Sequence, residues 1–256
     1  MLAPGHEPRP GEGYDPAHYE TLAAVEDTHF WFAARMRIII AALQQHFPGL
    51  RRFLEVGCGT GTVLRAVGAR FPAVTVSGSE LFPEGLAIAR RRAPGARLMQ
   101  MDARRIPFRE HFDVIGAFDV IEHIEDDVRV LSEIHRALKP GGGLVVTVPQ
   151  HRWLWSTQDE QAHHVRRYTR RELVQKVEDA GFEVRRVTSF VFLLLPVLWL
   201  SRLRAKASGH GVPDEFRAAR PLNALFGLVM TVERALINMG LDLPAGGSLL
   251  LVALKR

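Results

Sequence analysis

The hydrophobic residues of this 256-residue chain follow two alternating patterns. Short apolar runs rich in β-branched residues predict strands, and apolar residues spaced three or four apart between them predict helices. The predicted strands are residues 53–56, 74–80, 97–101, 112–118, 144–149, 182–187 and 248–254. Regular alternation of strands and helices predicts an α/β fold, a doubly wound Rossmann-like sheet with helices on both faces.

The start of the chain departs from this alternation. Residues 1–15 are rich in proline, glycine and charge, which predicts a disordered tail. Residues 16–50 predict a helical lid, because three aromatic residues at positions 30–32 precede a run with helical spacing. Trp31 and Arg35 are therefore predicted to contact a substrate. The alternative is that these aromatic rings only pack the helix against the core.

A glycine-rich turn follows the first predicted strand. Gly57, Gly59 and Gly61 alternate with other residues, and Glu55 stands two residues before the first of them. Glycine lets the backbone approach a ligand closely, and the free N–H groups of the next helix favour an electron-rich group. The spacing differs from the dinucleotide pattern G-x-G-x-x-G, whose third glycine would fall at Thr62. The turn is thus predicted to hold a cofactor other than a dinucleotide.

The E-x-G-x-G-x-G arrangement resembles motif I of the class I S-adenosylmethionine-dependent methyltransferases. An ordered set of further segments resembles the ubiquinone and menaquinone methyltransferase branch: residues 54–61, 112–113, 122–123, 138–142 and 180–182. Two more segments resemble bacterial relatives linked to envelope-glycan or lipid biosynthesis: residues 29–35 and 164–168. The resemblance implies a seven-stranded sheet whose last strand inserts antiparallel between strands five and six.

The same resemblance implies S-adenosylmethionine as the cofactor. In the family, the acid after the second strand, here Glu80, recognises the ribose, and the acid after the third, here Asp102, binds the adenine amino group. The cofactor-binding residues implied are Glu55, Gly57, Cys58, Gly59, Thr60, Gly61, Glu80, Leu81, Asp102, Ala103, Phe118, Asp119 and His123. All of them stand near the carboxyl ends of predicted strands, where open α/β sheets bind ligands.

Methyl transfer to a hydroxyl requires removal of a proton, so titratable groups near the cofactor are candidate bases. His164 is the first candidate and His123 the second, and Tyr168 is the third catalytic residue predicted. Hydrogen bonding of the two histidines to backbone is the alternative. Four residues of the loop after strand five are predicted substrate contacts: Trp153, Trp155, Asp159 and His163. The adjacent histidines with Asp159 offer fewer than the four ligands of a structural zinc site, so no metal is expected.

A hydrophobic helical insertion is predicted at about residues 190–247. Its first apolar run is shorter than the about 20 residues that span a bilayer, and Pro196 interrupts it. Arg202, Arg204 and Lys206 follow that run. Apolar residues beside basic ones predict a surface for anionic membrane or a hydrophobic acceptor. The alternative is a pair of helices packed on the core.

Composition limits the compartment and the partners. The net charge is +5, but the basic residues are scattered rather than gathered into a stripe, so no nucleic-acid partner is expected. Cys58 is the single cysteine, so the chain cannot form an internal disulfide, which suits a reducing cytosol. The predicted location is cytoplasmic, peripheral to the inner face of the membrane. The sequence leaves the oligomeric state open.

Residues 51–256 are thus predicted to form an S-adenosylmethionine-dependent methyltransferase domain. Its expected substrate is an oxygen of a small or lipid-linked hydrophobic acceptor. One alternative is a C-methyltransferase of a quinone-like acceptor, and another is a non-catalytic binding or assembly module with the same fold. An NAD-dependent oxidoreductase is disfavoured by the glycine spacing.

Overall fold

The computed structural model describes residues 19–208 and 219–256, apart from the side chains of residues 204–208. The strands are β1 Arg52–Val56, β2 Thr75–Glu80, β3 Arg97–Gln100, β4 Phe112–Phe118, β5 Leu138–Pro149, β6 Phe182–Phe190 and β7 Ser248–Lys255. The helices are α1 Tyr19–Glu26, α2 Phe30–His46, α3 Thr62–Arg70, α4 Pro83–Arg92, α5 Asp127–Ala137, α6 Thr157–Gln161, α7 Arg170–Asp179, α8 Leu195–Ser208 and α9 Arg220–Asn238. The predicted tail lies outside the described residues.

The described strands form one seven-stranded sheet in the order β3-β2-β1-β4-β5-β7-β6. Strands β1 to β5 run parallel, and β7 lies antiparallel between β5 and β6. This confirms the predicted fold class and the inserted last strand. From β1 the chain adds β2 and β3 on one side of the sheet and then β4 and β5 on the other, so the topological switch point lies between β1 and β4. In such sheets the ligand-binding crevice lies outside the carboxyl ends of the strands at this point.

The two faces of the sheet carry separate hydrophobic cores. Phe53 and Leu54 are both fully buried but belong to different cores, as expected for successive residues of a strand. Helices α2, α3, α4 and α9 contribute to the first core, and α5 and α7 contribute to the second. Both faces are therefore covered, which explains why the central strands are apolar at nearly every position.

The region predicted to be helical at residues 16–50 contains two helices, α1 and α2. The break falls at residues 27–29, where the ring of His29 accepts a hydrogen bond from the Trp31 N–H and caps α2. A distant residue holds the same break. Asn223 of α9 accepts a hydrogen bond from the Phe30 N–H at 2.9 Å and donates one to the Thr28 carbonyl at 2.9 Å. The insertion and the N-terminal helices thus fix each other.

Two strands, β5 and β6, extend well beyond their predicted ranges. Strand β5 begins at Leu138 rather than at residue 144, and a register shift opposite Phe112 and Val114 accommodates the extra residues. Strand β6 continues to Phe190, so the start of the predicted insertion belongs to the sheet. After β6 the chain turns at Val191, whose φ is +63°. The buried carboxylate of Glu233 accepts hydrogen bonds from the N–H groups of Val191 and Leu193 and holds this turn.

The insertion is partly core and partly surface. Val191 and Leu194 are buried, whereas Trp199 of α8 and Leu228 of α9 are exposed by 52% and 65%. Among the described helices, none combines the length and the apolar character that crossing a bilayer requires. The side chains of Arg204 and Lys206, predicted to face lipid headgroups, lie outside the described side chains.

Candidate active site

The glycine turn joins β1 to α3 with three left-handed glycines, whose φ angles are +66° at Gly57, +49° at Gly59 and +80° at Gly61. A Cβ at Gly57 would lie 2.5 Å from Val120 Cγ2, and one at Gly61 would lie 2.9 Å from the Ala89 backbone. At Gly59 it would meet nothing nearer than a Tyr19 ring carbon at 3.8 Å. The outer glycines therefore allow tight packing, and the middle one borders open space.

Buried carboxylates surround this open space. Glu80 at the end of β2 accepts hydrogen bonds from the N–H groups of Gly59 at 2.9 Å, Leu81 at 2.7 Å and Phe82 at 3.2 Å. Burial raises the pKa of Glu80, and these N–H groups act in the opposite direction. Glu80 thus ties the glycine turn to the end of the neighbouring strand.

Glu55 and Cys58 lie deeper in the same region. Burial raises the pKa of Glu55 well above its ordinary value, and the nearby charge of Arg35 opposes this shift. Burial also raises the pKa of the Cys58 thiol. A thiol held in its protonated form is a poor nucleophile, so Cys58 is suited to packing within the turn.

Asp102 follows β3 and forms a two-oxygen ion pair with Arg104. The Arg104 side chain donates to Asp102 through Nε at 3.0 and 3.1 Å and through Nη2 at 2.9 Å, and its backbone N–H donates at 2.8 Å. Both oxygens are therefore held in one orientation at the cavity edge.

Asp119 follows β4 with a left-handed φ of +55°, which is uncommon for a residue other than glycine. Its backbone N–H donates to the Thr147 carbonyl at 2.9 Å, and its carboxylate pairs with Arg35 of α2. Arg35 also donates to the Phe118 carbonyl at 2.8 Å and lies over the ring of Trp31. The two side chains predicted to contact substrate are thus held against the end of β4.

Helix α1 is bound to the glycine turn by an ionic cluster. The Glu26 carboxylate accepts hydrogen bonds from the hydroxyls of Thr60 and Thr62, the latter at 2.6 Å, and pairs with Arg92 of α4. Arg92 also donates to the Thr60 hydroxyl at 2.9 Å. Tyr19 is buried beside Phe82 at the other end of α1. Helix α1 therefore covers one side of the cavity.

The segment after β5, residues 150–169, is the histidine-rich loop, and it holds the carboxylate of Asp159 against the imidazole of His164. The Asp159 oxygens accept from the Ser156 N–H at 2.8 Å and from Arg167 at 2.7 and 3.0 Å. The Asp159 carboxylate also lies 2.8 Å from Nδ1 of His164. These cations and hydrogen bonds lower the pKa of Asp159 despite its burial, so it carries a negative charge at neutral pH. His164 is thereby oriented by a permanent anion.

His123 lies against His164, with their ring centres 4.7 Å apart and nearly perpendicular. Burial, followed by the charge of His164, lowers the pKa of His123 to about 3. The next residue back, Glu122, is fully buried, and burial followed by the charge of Asp119 raises its pKa well above the ordinary value. Burial therefore favours the uncharged form of both groups, the neutral imidazole of His123 and the protonated carboxyl group of Glu122.

One cavity of about 1300 Å³ connects these groups. It extends from the glycine turn past Trp31 and His164 to α8 and α9, where Leu198 and Phe226 line it. The residues predicted from sequence that line the cavity are Trp31, Arg35, Glu55, Gly57, Cys58, Gly59, Thr60, Glu80, Leu81, Asp102, Ala103, Phe118, Asp119, His123, Asp159 and His164.

Five predicted site residues are not part of the cavity lining: Gly61, Trp153, Trp155, His163 and Tyr168. The prediction of a catalytic Tyr168 is corrected, because its ring is fully buried and its hydroxyl donates to Asp127 at 2.6 Å. Burial and the Asp127 charge raise the pKa of Tyr168, so the hydroxyl stays protonated. Gly61 packs against α4, and Trp153 lies exposed on a shallow outer groove with Trp199.

Other residues that line the cavity or contact the glycine turn were not predicted from sequence. Glu122 belongs to the segment 122–123 that carries the family resemblance, but no sequence pattern shows that its side chain is buried without a hydrogen-bond partner. Glu26 and Arg92 are ordinary charged residues of two helices, and only the tertiary contact joins them to the turn. The signal for Glu122 is its place directly before the predicted His123, in the segment that follows β4.

Comparisons with known proteins agree with this geometry. A family model described as a methyltransferase domain matches residues 26–187. A demethylmenaquinone methyltransferase from Chlorobaculum tepidum is 37% identical over 99 residues, covering 38% of this chain and 40% of the relative. A protein from Mycolicibacterium smegmatis named as a probable S-adenosylmethionine-dependent methyltransferase is 29% identical over 175 residues, covering 64% and 63%. The matched segments span less than two thirds of these curated relatives.

Solved structures agree at the level of the fold. A crystal structure of an S-adenosylmethionine-dependent methyltransferase from Thermotoga maritima superposes with a TM-score of 0.60 and covers 94% of this chain and 95% of its own. The two sequences are 18% identical, so this likeness concerns the fold alone.

Proposed function

Because the chain belongs to the family of class I S-adenosylmethionine-dependent methyltransferases, we propose that it methylates an oxygen of a hydrophobic or lipid-linked acceptor. The cofactor would lie between the glycine turn and the strand-end acids. The open space at Gly59 would hold its methionine part, Glu55 would bind its amino group, and Glu80 and Asp102 would bind the ribose and the adenine.

The size and lining of the cavity carry the proposal for the acceptor. About 1300 Å³ exceeds the about 300–1,000 Å³ of an ordinary ligand pocket, so a second molecule fits beside the cofactor. The outer half is lined by apolar side chains of the insertion, including Val197, Leu198 and Phe226. An acceptor that reaches this half would bury apolar surface against α8 and α9.

The histidine loop supports oxygen as the acceptor atom. Methyl transfer from a sulfonium is a displacement that mainly requires alignment, and a hydroxyl acceptor must also lose its proton. The Asp159 carboxylate lies 2.8 Å from Nδ1 of His164, which orients the ring and leaves Nε2 to accept a proton from the acceptor. His164 is therefore our proposed base, and the neutral His123 ring is proposed to position the acceptor.

An assay with labelled cofactor tests this proposal. The protein is incubated with S-adenosylmethionine labelled in its methyl group and with an extract divided into lipid and aqueous fractions. We expect label in a lipid-phase product, with the Gly59→Val variant inactive and Gly49→Val active, since a Cβ at Gly49 meets nothing within 4 Å. Label only in the aqueous fraction would contradict the hydrophobic acceptor.

The product then identifies the acceptor atom. The Chlorobaculum tepidum relative is named for demethylmenaquinone, which keeps a quinone-like acceptor as the second candidate. Proton NMR separates the two cases, because an O-methyl and a C-methyl group resonate at clearly different shifts. A C-methyl product would overturn the choice of oxygen. Cofactor binding without any labelled product would favour a non-catalytic module.

We further propose that the insertion binds the membrane surface. Apolar side chains stand exposed on α8 and α9: Val197, Trp199, Leu200, Leu203, Leu222, Leu225, Leu228 and Val232. Glu233 fixes the turn before α8, so this exposure does not reflect a loose segment. Insertion of an aliphatic side chain contributes about 1.5–3 kcal/mol, so several together would give reversible binding.

Vesicle flotation with a matched pair of variants tests the membrane proposal. Val232 on α9 and Val128 on α5 are exposed by 51% and 50%. We expect Val232→Asp to weaken binding to anionic vesicles by about tenfold, the equivalent of about 1.4 kcal/mol, while Val128→Asp binds as the wild type does. Wild-type protein that fails to float at low salt, or equal loss in both variants, would contradict the proposal.

A further inference from the structure

Three potential metal ligands meet in the cavity between the cofactor region and the insertion. One carboxylate oxygen of Glu122 and one ring nitrogen each of His123 and His164 lie within 4.8 Å of one another. All three residues line the cavity. The short 3₁₀ turn Ile121–His123 supplies two of them, and the loop after α6 supplies the third.

No side chain in the described parts of the chain forms a hydrogen bond with the buried carboxyl group of Glu122. It is fully buried, and neither carboxylate oxygen has a hydrogen-bond partner within the described parts of the chain. A buried carboxyl group without a hydrogen bond is costly, so buried acids normally pair or coordinate a cation. Its side chain therefore points to a ligand.

The histidines are held in orientations that leave one nitrogen each for a ligand. His164 Nδ1 faces the Asp159 carboxylate at 2.8 Å, which leaves Nε2. His123 Nδ1 has no partner among the described residues, while its ring bonds to the backbone at Ala162 and His163. A carboxylate behind a metal-binding imidazole is the usual outer support of such a ligand.

The backbone holds the two ligand segments together. The Val165 N–H donates to the Glu122 carbonyl at 2.8 Å, and the His164 N–H donates to the Asp159 carbonyl at 2.8 Å. Ser156 begins α6 with a capping box that also uses Asp159. The loop and the 3₁₀ turn are thus fixed to each other, which keeps the three ligand atoms close together.

We propose that Glu122, His123 and His164 bind one divalent transition-metal ion, with Zn²⁺ the ion that this donor set fits well. Two imidazoles and one carboxylate are the three protein ligands of many catalytic zinc sites, which leave a fourth position open. Ligand atoms around a tetrahedral ion lie about 3.4 Å apart for bonds of about 2.1 Å, so rotations must bring the three groups closer by about 1.4 Å at most.

The open position faces the cavity, where the acceptor is proposed to bind. There the ion would coordinate the acceptor oxygen and favour loss of its proton to water, a consequence that rests on the proposed function. With the ion bound, Nε2 of His164 is a ligand, so the ion replaces His164 as the group that activates the acceptor. The sequence-based expectation of no metal considered Asp159, His163 and His164 as ligands. Asp159 is instead held by Arg167 and Ser156, and His163 lies outside the cavity lining.

Cobalt titration of the full chain tests the site. After treatment with a chelator, the protein is titrated with Co²⁺, whose visible spectrum reports coordination by nitrogen and oxygen, and Zn²⁺ is then added in competition. We expect one ion per chain and at least a tenfold loss of affinity in Glu122→Gln and in His164→Ala, a lower bound because outer-support mutations alone cost about 10–100-fold. The adjacent His163→Ala is the matched control and should bind as the wild type does.

Two results would overturn the proposal: a wild-type protein that binds no Co²⁺, or wild-type affinity and spectrum in both ligand variants. Calorimetric titration with S-adenosylmethionine on the same samples checks that each variant is folded. It also separates the two claims, because cofactor binding and metal binding are measured independently on each variant. Cofactor binding without metal binding would refute the metal site alone, and loss of cofactor binding by the wild type would refute the proposed function.

Discussion

Replacing Gly61 by alanine should destabilise the protein more than replacing Gly59, although both glycines have a left-handed φ. The left-handed region costs a residue with a Cβ about 1–2 kcal/mol at either position. At Gly61 the Cβ would also lie 2.9 Å from both Cα and Cβ of Ala89 in α4. Overpacking of this kind adds about 1–3 kcal/mol, so the expected losses are about 2–5 kcal/mol for Gly61→Ala and about 1–2 kcal/mol for Gly59→Ala.

The effect on the cofactor should have the opposite order. Gly59 lines the cavity and Gly61 does not, so Gly59→Ala should weaken binding of S-adenosylmethionine while Gly61→Ala retains it below its melting temperature. Urea denaturation measures the first quantity and calorimetric titration the second. Gly68→Ala is a control in the interior of α3, where a Cβ meets nothing within 4 Å. It should stabilise the protein by about 0.5–1 kcal/mol.

Two outcomes would refute this reasoning. If Gly61→Ala matches Gly59→Ala in stability, contact with α4 does not determine the need for glycine there. If Gly59→Ala binds the cofactor as the wild type does, the open space beside Gly59 is not where the ligand lies. Neither result would contradict the described fold, because each concerns only one position of the glycine turn.

Three further predictions concern single contacts. The pKa of Glu55 is raised in the folded protein, so the folded state keeps this proton at a pH where the unfolded chain has released it. The stability of the ligand-free protein should therefore fall as the pH rises above about 4.3, the ordinary pKa of a glutamate. Glu55→Gln should remove this part of the pH dependence in thermal melts across about pH 5–8. Tyr168→Phe should cost about 1.5–3 kcal/mol in urea denaturation through the lost bond to Asp127, with unchanged cofactor affinity in calorimetry. Glu26→Ala should speed hydrogen exchange throughout α1 by removing its contacts with Thr60 and Arg92, and unchanged exchange would show that α1 is held otherwise.

Local patterns explain why the sheet and the turn were predictable. Strands such as β4 are continuous apolar runs, and the spacing of Gly57, Gly59 and Gly61 is complete within five residues. The strand-end acids Glu80 and Asp102 follow directly from strand positions, because parallel strands place their carboxyl ends along one edge. These predictions required no knowledge of contacts distant in sequence.

The features that were missed depend on distant contacts. Asn223 holds the break before α2 from 195 residues away along the chain, measured to Thr28. Strand β5 starts early because Leu138 pairs with Phe112, although its next residues resemble a helix stop. Tyr168 looked catalytic in its histidine-rich loop, but its role is set by Asp127, 41 residues earlier. The local sequence pattern contains none of these three distant partners.

The charges of the cavity argue for a cationic ligand independently of the motif. Carboxylates outnumber arginines among the described lining residues, and Glu55 and Glu122 include oxygens without a hydrogen-bond partner in the described chain. Burial of such groups opposes folding, so packing alone does not account for them. S-adenosylmethionine carries a sulfonium and an ammonium group, and a cation beside Glu55 would favour its ionised form. Cofactor binding should therefore release a proton and strengthen with rising pH, which is the opposite of the trend expected for an anionic dinucleotide.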